Sequence, residues 1–515
     1  VTRGPDADEA QPSRSTWLSF FAMCIGMFMA ILDVQIVATS LPTIQGALNI
    51  NPDQMSWIQT AYLIAEIIAI PLTGFLTRLL SMRRLFAYGA LLFTAASVGC
   101  AQSESFNALL LWRAIQGFSG GTLIPTVFSA VFLLFTPRHQ NVATTVAGVV
   151  AVMAPTVGPI VGGWITETYS WHWLFLINVA PGLLAAALAA CLLPRQTFEL
   201  KHFRSIDFRS LAMMATGLAA LEIALKEAPQ RGWSSSVVLS LCAFSMITLT
   251  AFTLRTWYSL TPLVDLHNFK DRNFALGCIL SFVLGFGLFG SVYLMPVFLA
   301  YVRGRNALQI GETMLVTGMA QLMIAPLAVM LEQRLDARLL STIGFLSFAI
   351  GLGSSSLQIP QTDAAGMFWP QVVRGMAIMI CLLPPTRLAL GNIQDERIPD
   401  ASGLFNLMRN IGGAIGLALV DSVIYTRSAT HGVAIVNGLL AGDARTQAFV
   451  GMAPGAAADM SGKIDLIAQT IFNPMIVKAA LVQGINDAWA VLALITLVPL
   501  LLIMLAYPIQ PKARL

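Results

Sequence analysis

Charge is what this sequence has least of. Only 11% of its 515 residues are Asp, Glu, Lys or Arg, less than half of the ~25% typical of a soluble domain. So few charges cannot give a body of this size a water-facing surface. Soluble enzymes, nucleic-acid binders, secreted disulfide scaffolds and coiled coils are excluded together. The net charge of +4 is small, which also speaks against a nucleic-acid partner. Six cysteines (Cys24, Cys100, Cys191, Cys242, Cys278, Cys381) lie within or beside apolar runs, with no CxxC pair. They read as small hydrophobes, not as disulfides or a metal site. The five histidines never pair as HxxxH, so no metallo-enzyme and no cofactor is expected. A GxxxxGK[ST] phosphate loop is missing as well, which leaves an ion gradient as the energy source.

What the chain has is apolar length. Hydrophobic residues make up 56% of it, and the mean hydropathy is +0.73. Runs of ~18–25 apolar residues are long enough to cross ~30 Å of hydrocarbon as helices. The expected spans are 17–41, 56–77, 85–102, 107–134, 142–165, 173–193, 209–226, 236–254, 274–301, 309–331, 338–357, 367–390, 402–425 and 484–507. That predicts an all-α membrane protein of about fourteen transmembrane helices. Every backbone group must be satisfied inside the bilayer, and no alternating strand pattern suggests a barrel.

The arginines orient the spans. Arg78, Arg83 and Arg84, then Arg138, then Arg195, Lys201, Arg204 and Arg209 fall in alternate connections. So do Arg255, Lys270, Arg272, Arg334, Arg338, Lys512 and Arg514, whereas 42–55, 103–106, 166–172 and 358–366 carry no Lys or Arg. This bias predicts a multi-pass inner-membrane protein with both termini in the cytoplasm. Val1–Ser15 is too polar and acidic for a signal peptide and reads as part of a cytoplasmic tail, 1–16. Residues 426–483 form a long outside loop, helical in part or disordered.

An internal echo suggests duplication. LLWRAIQGFSGGTLIPT in span four and PQVVRGMAIMICLLPPT in span twelve each place an arginine about three turns before a Pro-Thr pair. Spans five and thirteen both carry glycine clusters, GPIVGG and IGGAIG. The offset of eight helices suits a six-helix bundle at 17–193, a linker at 194–208, two inserted helices at 209–254, a second bundle at 255–507 and a tail at 508–515. Paired repeats around a midplane site are the plan of secondary transporters.

Further stretches carry a family resemblance. ILDVQIVATSLPTI (31–44), GFLTRLLSMRRL (74–85), LLWRAIQG (110–117), APTVGPIVGGWITETYSWHWLFLINVAPG (154–182), PLVDLHNFKDRNFALG (262–277) and ASGLFNLMRNIGGAIG (401–416) resemble the major facilitator superfamily. They look most like its fourteen-span drug:proton antiporters of the EmrB/QacA type. The resemblance implies the major facilitator fold, two six-helix bundles plus two inserted helices, and efflux of a lipophilic or amphipathic small molecule against protons. The span-five motif resembles the one that marks exporters. A periplasmic adaptor and an outer-membrane channel are partners that the resemblance alone implies. An importer or symporter of the same fold would share the charge map, but the span-five run counts against it. A membrane enzyme would need His, Cys or carboxylates clustered at one depth, which the sequence does not display.

The candidate residues follow from intramembrane chemistry. Asp33 sits mid-span in helix one, where a carboxylate costs about 2.5–3.5 kcal/mol unless it is neutral or wet. That suits a proton carrier, and Asp33 matches the acidic residue of the span-one motif. Gln35 stands where the family usually has Thr and Ala38 where it has Asn, which implies altered substrate contacts. Glu66 is a second intramembrane acid, where the family is usually neutral, and is expected to share a proton with Asp33. Arg113 is a buried cation that needs a carboxylate or carbonyls. The resemblance ties it to proton transfer, with Gln116 and Gly117 completing its motif. Arg374 echoes Arg113. Glu222, Glu312 and Asp421 are further acids in or beside spans. Glu312 suits a helix N-terminus, and Asp421 lies at a wet helix end or in the pathway. Gly158, Pro159, Gly162 and Gly163 form a candidate hinge, because proline removes a backbone donor and glycine lets a neighbour approach. Gly74, Arg78, Arg83 and Arg84 form a gate loop. The family motif has Asp at the position of Arg78 and Gly at Ser81, so the gate contact is expected to differ here. Protons are favoured over sodium by the carboxylates, with sodium left open.

Overall fold

The computed structural model describes residues 12–50, 52–195, 207–259, 262–452 and 466–504. Fourteen long helices account for most of them: α1 (Arg14–Leu48), α2 (Pro52–Leu80), α3 (Met82–Ala101), α4 (Phe106–Leu134), α5 (Pro137–Thr168), α6 (Trp173–Leu192), α7 (Phe208–Arg231), α8 (Ser236–Trp257), α9 (Arg272–Val302), α10 (Ala307–Arg334), α11 (Ala337–Ser354), α12 (Ala364–Leu390), α13 (Ile398–Leu440) and α14 (Leu466–Thr496). Thirteen are single helices long and apolar enough to cross a membrane, and the bent α5 makes a fourteenth. The helices run up and down between two faces. The basal face is the one where α1 starts; the apical face is opposite. The N-terminal tail up to residue 11 and the segment after residue 504 lie outside the described residues, as does 196–206 of the linker.

Local chemistry sets the helix starts. Side chains of Ser13, Ser105, Asp207, Asp271, Asn306, Asp336 and Asp363 accept hydrogen bonds from the free backbone N–H groups of the turns that follow. Each such cap is worth ~1 kcal/mol. Asn49 ends α1 in the left-handed conformation, at φ 50°.

Packing divides the helices into two bundles and a hairpin. α1–α6 pack among themselves, α9–α14 do the same, and α7 and α8 pair with each other. Within the hairpin it is α7 that reaches the bundles, touching α2 of the first and α13 of the second. The two bundles meet where α5 lies on α10 and where α13 lies on α2 and α4.

Four features depart from the simple span pattern. Helix α13 runs 43 residues, ~64 Å at 1.5 Å per residue and about twice the hydrocarbon thickness. The outside loop expected at 426–483 is therefore largely helical where it is described. α13 continues to Leu440, a short helix spans Ala444–Val450, and α14 begins at Leu466; 453–465 lie outside the described residues. The two overhanging ends are stapled by Asp487, which accepts from Arg427 at 2.7 Å and contacts His431 at 2.8 Å.

Helix α5 bends by 40° between Pro137–Pro155 and Val157–Thr168. Pro155 and Pro159 both lie inside this helix; a proline ring crowds the carbonyl four residues earlier, which for Pro159 is that of Pro155, at the bend. Helix α6 is interrupted at Ile177 and Asn178. Lastly, the apical turn between α9 and α10 holds Arg303 and Arg305, against the general basal bias. Arg303 is engaged there, donating to the Pro360 carbonyl at 3.3 Å.

Candidate functional site

The first bundle encloses a polar cluster with no exposed member. Asp33 of α1, Arg113 and Gln116 of α4, Ser97 of α3 and Asn178 of α6 are all at most 1% exposed. Arg113 Nη1 donates to Asp33 Oδ2 at 2.5 Å and to Gln116 Oε1 at 2.8 Å. Its Nε donates to the Ile58 carbonyl of α2 at 3.1 Å. Gln116 Nε2 donates to Asp33 Oδ1 at 2.9 Å and to Ser97 Oγ at 2.8 Å. Asn178 Nδ2 completes the set, donating to Asp33 Oδ1 at 2.7 Å.

Each member is there for a local reason. Gln116 follows Arg113 by three residues, so both project from one face of α4. Asn178 reaches Asp33 because α6 breaks at that residue. Tyr62 of α2 lies under the guanidinium, 4.4 Å from its ring centroid, and donates to the Ala30 carbonyl of α1 at 3.1 Å. Arg113 Nη2 has no hydrogen-bond partner. Three donors, one of them cationic, meet on the one carboxylate in this arrangement. Separating Arg113 from it would leave a bare buried charge, which a proton would neutralise.

The other acids stand elsewhere. Glu66 is buried in α2, and its foremost charged neighbour is Glu222 of α7, ahead of Arg113 and Asp33. The carboxylate oxygens of Asp33 are bonded within its own cluster. One turn beyond Glu222, Lys226 lies 4.1 Å from the Trp57 ring centroid of α2. Asp421 of α13 lies beside Tyr293 of α9, and Glu312 is exposed in the first turns of α10. Gln35 is half-buried on α1 against α5. A Cβ placed on Gly158 would run into the Gln35 side chain, so this α1–α5 seam requires glycine. Further along, Thr166 donates to the Gly162 carbonyl at 2.7 Å and meets Ser40 of α1, also at 2.7 Å. Gly162 and Gly163 are buried as well.

The gate loop is tied across the bundles at the basal face. Arg78, in the last turn of α2, forms an ion pair with Asp400 in the first turn of α13. It also donates to the Leu263 carbonyl at 3.4 Å. Asp400 is 2% exposed and stands against Gly74, where no side chain fits. Beside it, Ser402 Oγ donates to the Pro125 carbonyl of α4 at 2.8 Å. Where the family motif has an acid on the loop, here the loop holds the base and α13 the acid. Arg83 is half-buried and Arg84 exposed in the first turn of α3. Between them and Arg78, Ser81 takes φ 71° and ψ 153°, a region that favours glycine and explains the glycine of the family motif.

Sequence reasoning passed over Asn178, Asp400 and Arg409. Asn178 is a neutral residue inside an apolar run, and only the helix break makes it visible. Asp400 looks like a helix-start acid. Arg409 of α13 is 8% exposed, lies 5.4 Å from the Phe128 ring of α4 and 5.3 Å from that of Phe405, and leaves Nε and Nη2 unpaired. Arg374, the echo of Arg113, is buried in α12, 5.1 Å from the Trp489 ring of α14.

The family model of the Major Facilitator Superfamily matches residues 23–417. The chain belongs to the major facilitator superfamily. The colistin resistance protein EmrB of Acinetobacter baumannii is 39% identical over 430 residues, 83% of each chain. The multidrug export protein EmrB of Escherichia coli K12 is 30% identical over 467 residues, 89% of this chain and 90% of that one. Among solved structures, the human organic anion transporter MFSD10 superposes with a TM-score of 0.59 at 15% identity, covering 96% of this chain and all of the other. That likeness concerns the fold alone. The chain is a membrane transporter of the EmrB type, an efflux protein and not an enzyme. The matched region runs from α1 into α13 and contains the Asp33 cluster, the α5 bend and the Arg78–Asp400 pair.

Proposed function

We propose that this chain exports lipophilic or amphipathic small molecules from the cytoplasm in exchange for protons, with Asp33 as the proton carrier. The observation that carries this reading is the fully buried Asp33–Arg113 pair, braced by Gln116 and Asn178. A charge pair so deep in the bilayer is costly unless it works. In the exchange step Arg113 leaves Asp33, the carboxylate takes a proton from the outer side, and the neutral acid permits the return swing. Substrate binding drives the reverse step. Arg113 comes back to the carboxylate and the proton leaves toward the cytoplasm.

Glu66 and Glu222 form a second acidic locus between the first bundle and the inserted hairpin, and Gln35, Gln116, Glu312 and Asp421 are further candidates for substrate or proton contacts. The bend of α5 with its Gly158 seam serves as the hinge, and Arg78–Asp400 latches the cytoplasmic side. The basic basal connections support a cytoplasmic basal face in the inner membrane. The helical overhang of α13 and α14 then rises on the periplasmic side. It bears exposed Tyr425, Val433 and Val477, which suits an adaptor leading to an outer-membrane channel.

The test has two stages. A deletion strain is screened on toxic compounds, and a compound to which it is hypersensitive is taken into proteoliposomes. Export reading predicts counterflow of that compound and protons, lost in Asp33→Asn. Accumulation driven inward with protons would make the protein a symporter instead.

A further inference from the structure

The buried acid of the basal latch has an oxygen to spare. Asp400 Oδ2 is taken by Arg78 of α2, but Oδ1 has no hydrogen-bond partner and lies against Gly74 of the same helix. When α2 leaves α13, the carboxylate loses its ion-pair partner, and the same movement uncovers Oδ1. An acid released in this way at the edge of a low-dielectric interior is stabilised by any base that reaches it.

Arg397 is such a base. It stands directly before α13 and three residues before Asp400, the spacing that brings two side chains to one face of a helical turn. Its charge already acts on Asp400. In the closed arrangement, however, its Nη2 is held by Asp265 Oδ2 at 2.9 Å. Asp265 belongs to the segment 262–271 between α8 and α9. Leu263 and Val264 of that segment are buried in one apolar cluster with Phe75 and Leu79 of α2, and the Leu263 carbonyl accepts from Arg78. The residue that holds Arg397 therefore stands beside the latch.

We propose that Arg397 is the reserve partner of Asp400: as the basal face opens, its guanidinium passes from Asp265 to Asp400. Two observations set the direction of the exchange. The Arg397 side chain is 44% exposed, and an ion pair so open to water is weak. Asp265 also keeps other donors once Arg397 has gone. Its Oδ1 accepts from the His267 backbone N–H at 3.0 Å and meets the His267 ring Nδ1 at 3.2 Å. That ring is stacked on Trp257 of α8, with 4.9 Å between centroids. Among the described residues Asp400 accepts from Arg78 alone. The exchange thus lowers the cost of opening, and Asp265 restrains it. The proposal rests on the latch reading of Arg78 and Asp400, and its test separates the two.

Hydrogen–deuterium exchange of the full chain in phosphatidylcholine nanodiscs reports basal opening. It is read at the basal end of α4, residues 126–134, where none of the substitutions lies. Arg78→Ala should speed uptake there at least threefold by breaking the latch. Asp265→Asn should speed it at least twofold, because Arg397 is released. Arg397→Gln should slow it at least twofold below wild type, and Arg397→Lys should restore the wild-type rate. If the Asp265–Arg397 pair were merely another tie across the basal face, both Asp265→Asn and Arg397→Gln would speed uptake. Arg397 is largely exposed, so its two substitutions keep the test decisive if Asp265→Asn does not fold. Faster uptake in Arg397→Gln, or unchanged uptake in Asp265→Asn while Arg78→Ala opens the face, would overturn the exchange and leave the latch standing. Unchanged uptake in Arg78→Ala would overturn the latch, and the exchange with it.

Discussion

Arg78 on the last turn of α2 and Asp400 on the first turn of α13 join the two bundles at the basal face through one ion pair. Arg78 keeps 30% of its side chain exposed while Asp400 keeps 3%. The pair is therefore asymmetric: the acid depends on the base, more than the reverse. Replacing Arg78 with Ala strands a buried carboxylate, a loss of about 3–5 kcal/mol for the closed basal state. Transport by Arg78→Ala should fall at least tenfold. The double variant Arg78→Asp with Asp400→Arg should recover part of that loss. A swap no better than the single variant would show that the pairing is not what holds the bundles.

The latch has a strained neighbour. Ser81 holds φ 71° between α2 and α3, in a region that costs a non-glycine residue about 1–3 kcal/mol. Ser81→Gly should raise the thermal unfolding midpoint, in keeping with relief of ~1 kcal/mol. A lower midpoint would mean that the serine side chain contributes more than its backbone costs.

Much of the fold was legible in the sequence because the bilayer makes hydropathy a direct report of length. Each expected span meets a helix, and the basic connections mark one face. The α13 overhang was not legible for the same reason. Residues 426–440 extend a helix already longer than hydrocarbon is thick and are held by α14 and by the Arg427–Asp487–His431 staple, so span-length hydropathy does not report them. In the site, Asp33, Arg113 and Gln116 were readable as charges and amides out of place in apolar runs, and they do meet. Asn178 and the Asp400 partner of Arg78 were not, since their roles depend on which helices come together. Glu66 illustrates the same limit. Its depth was evident, but its neighbour is Glu222 of the inserted hairpin, which no local pattern announces.

The α5 bend gives a prediction with opposed effects on stability and activity. Pro159→Ala restores a backbone donor and removes the clash with the Pro155 carbonyl. The helix should straighten, the unfolding midpoint should rise, and transport should fall at least tenfold. Unimpaired transport in a stabilised Pro159→Ala protein would exclude the bend as a hinge.

The inserted hairpin is pinned at its basal end by Asp207. It caps α7 through the N–H groups of Arg209 and Ser210 and pairs with Arg255 of α8 at 2.6 Å. Hydrogen bonding from Arg255, then from Ser210, holds the Asp207 carboxyl well below the usual carboxylate range. A depressed folded value means the stabilisation is complete above the unfolded pKa of ~3.9 and fades as pH falls below it. Asp207→Ala should cost about 1–2 kcal/mol at neutral pH. The gap between the two proteins in unfolding midpoint should shrink below about pH 4. A gap constant from pH 7 to pH 3 would contradict the ionic part of the cap.

The most direct test of the coupling claim is proton release on substrate addition to the purified protein in lightly buffered solution. A compound found by the resistance screen serves as the substrate, followed with a pH indicator. The account predicts that the wild-type protein releases protons as Arg113 returns to Asp33, and that Asp33→Asn binds the compound but releases none. Release of the same size from Asp33→Asn would contradict it.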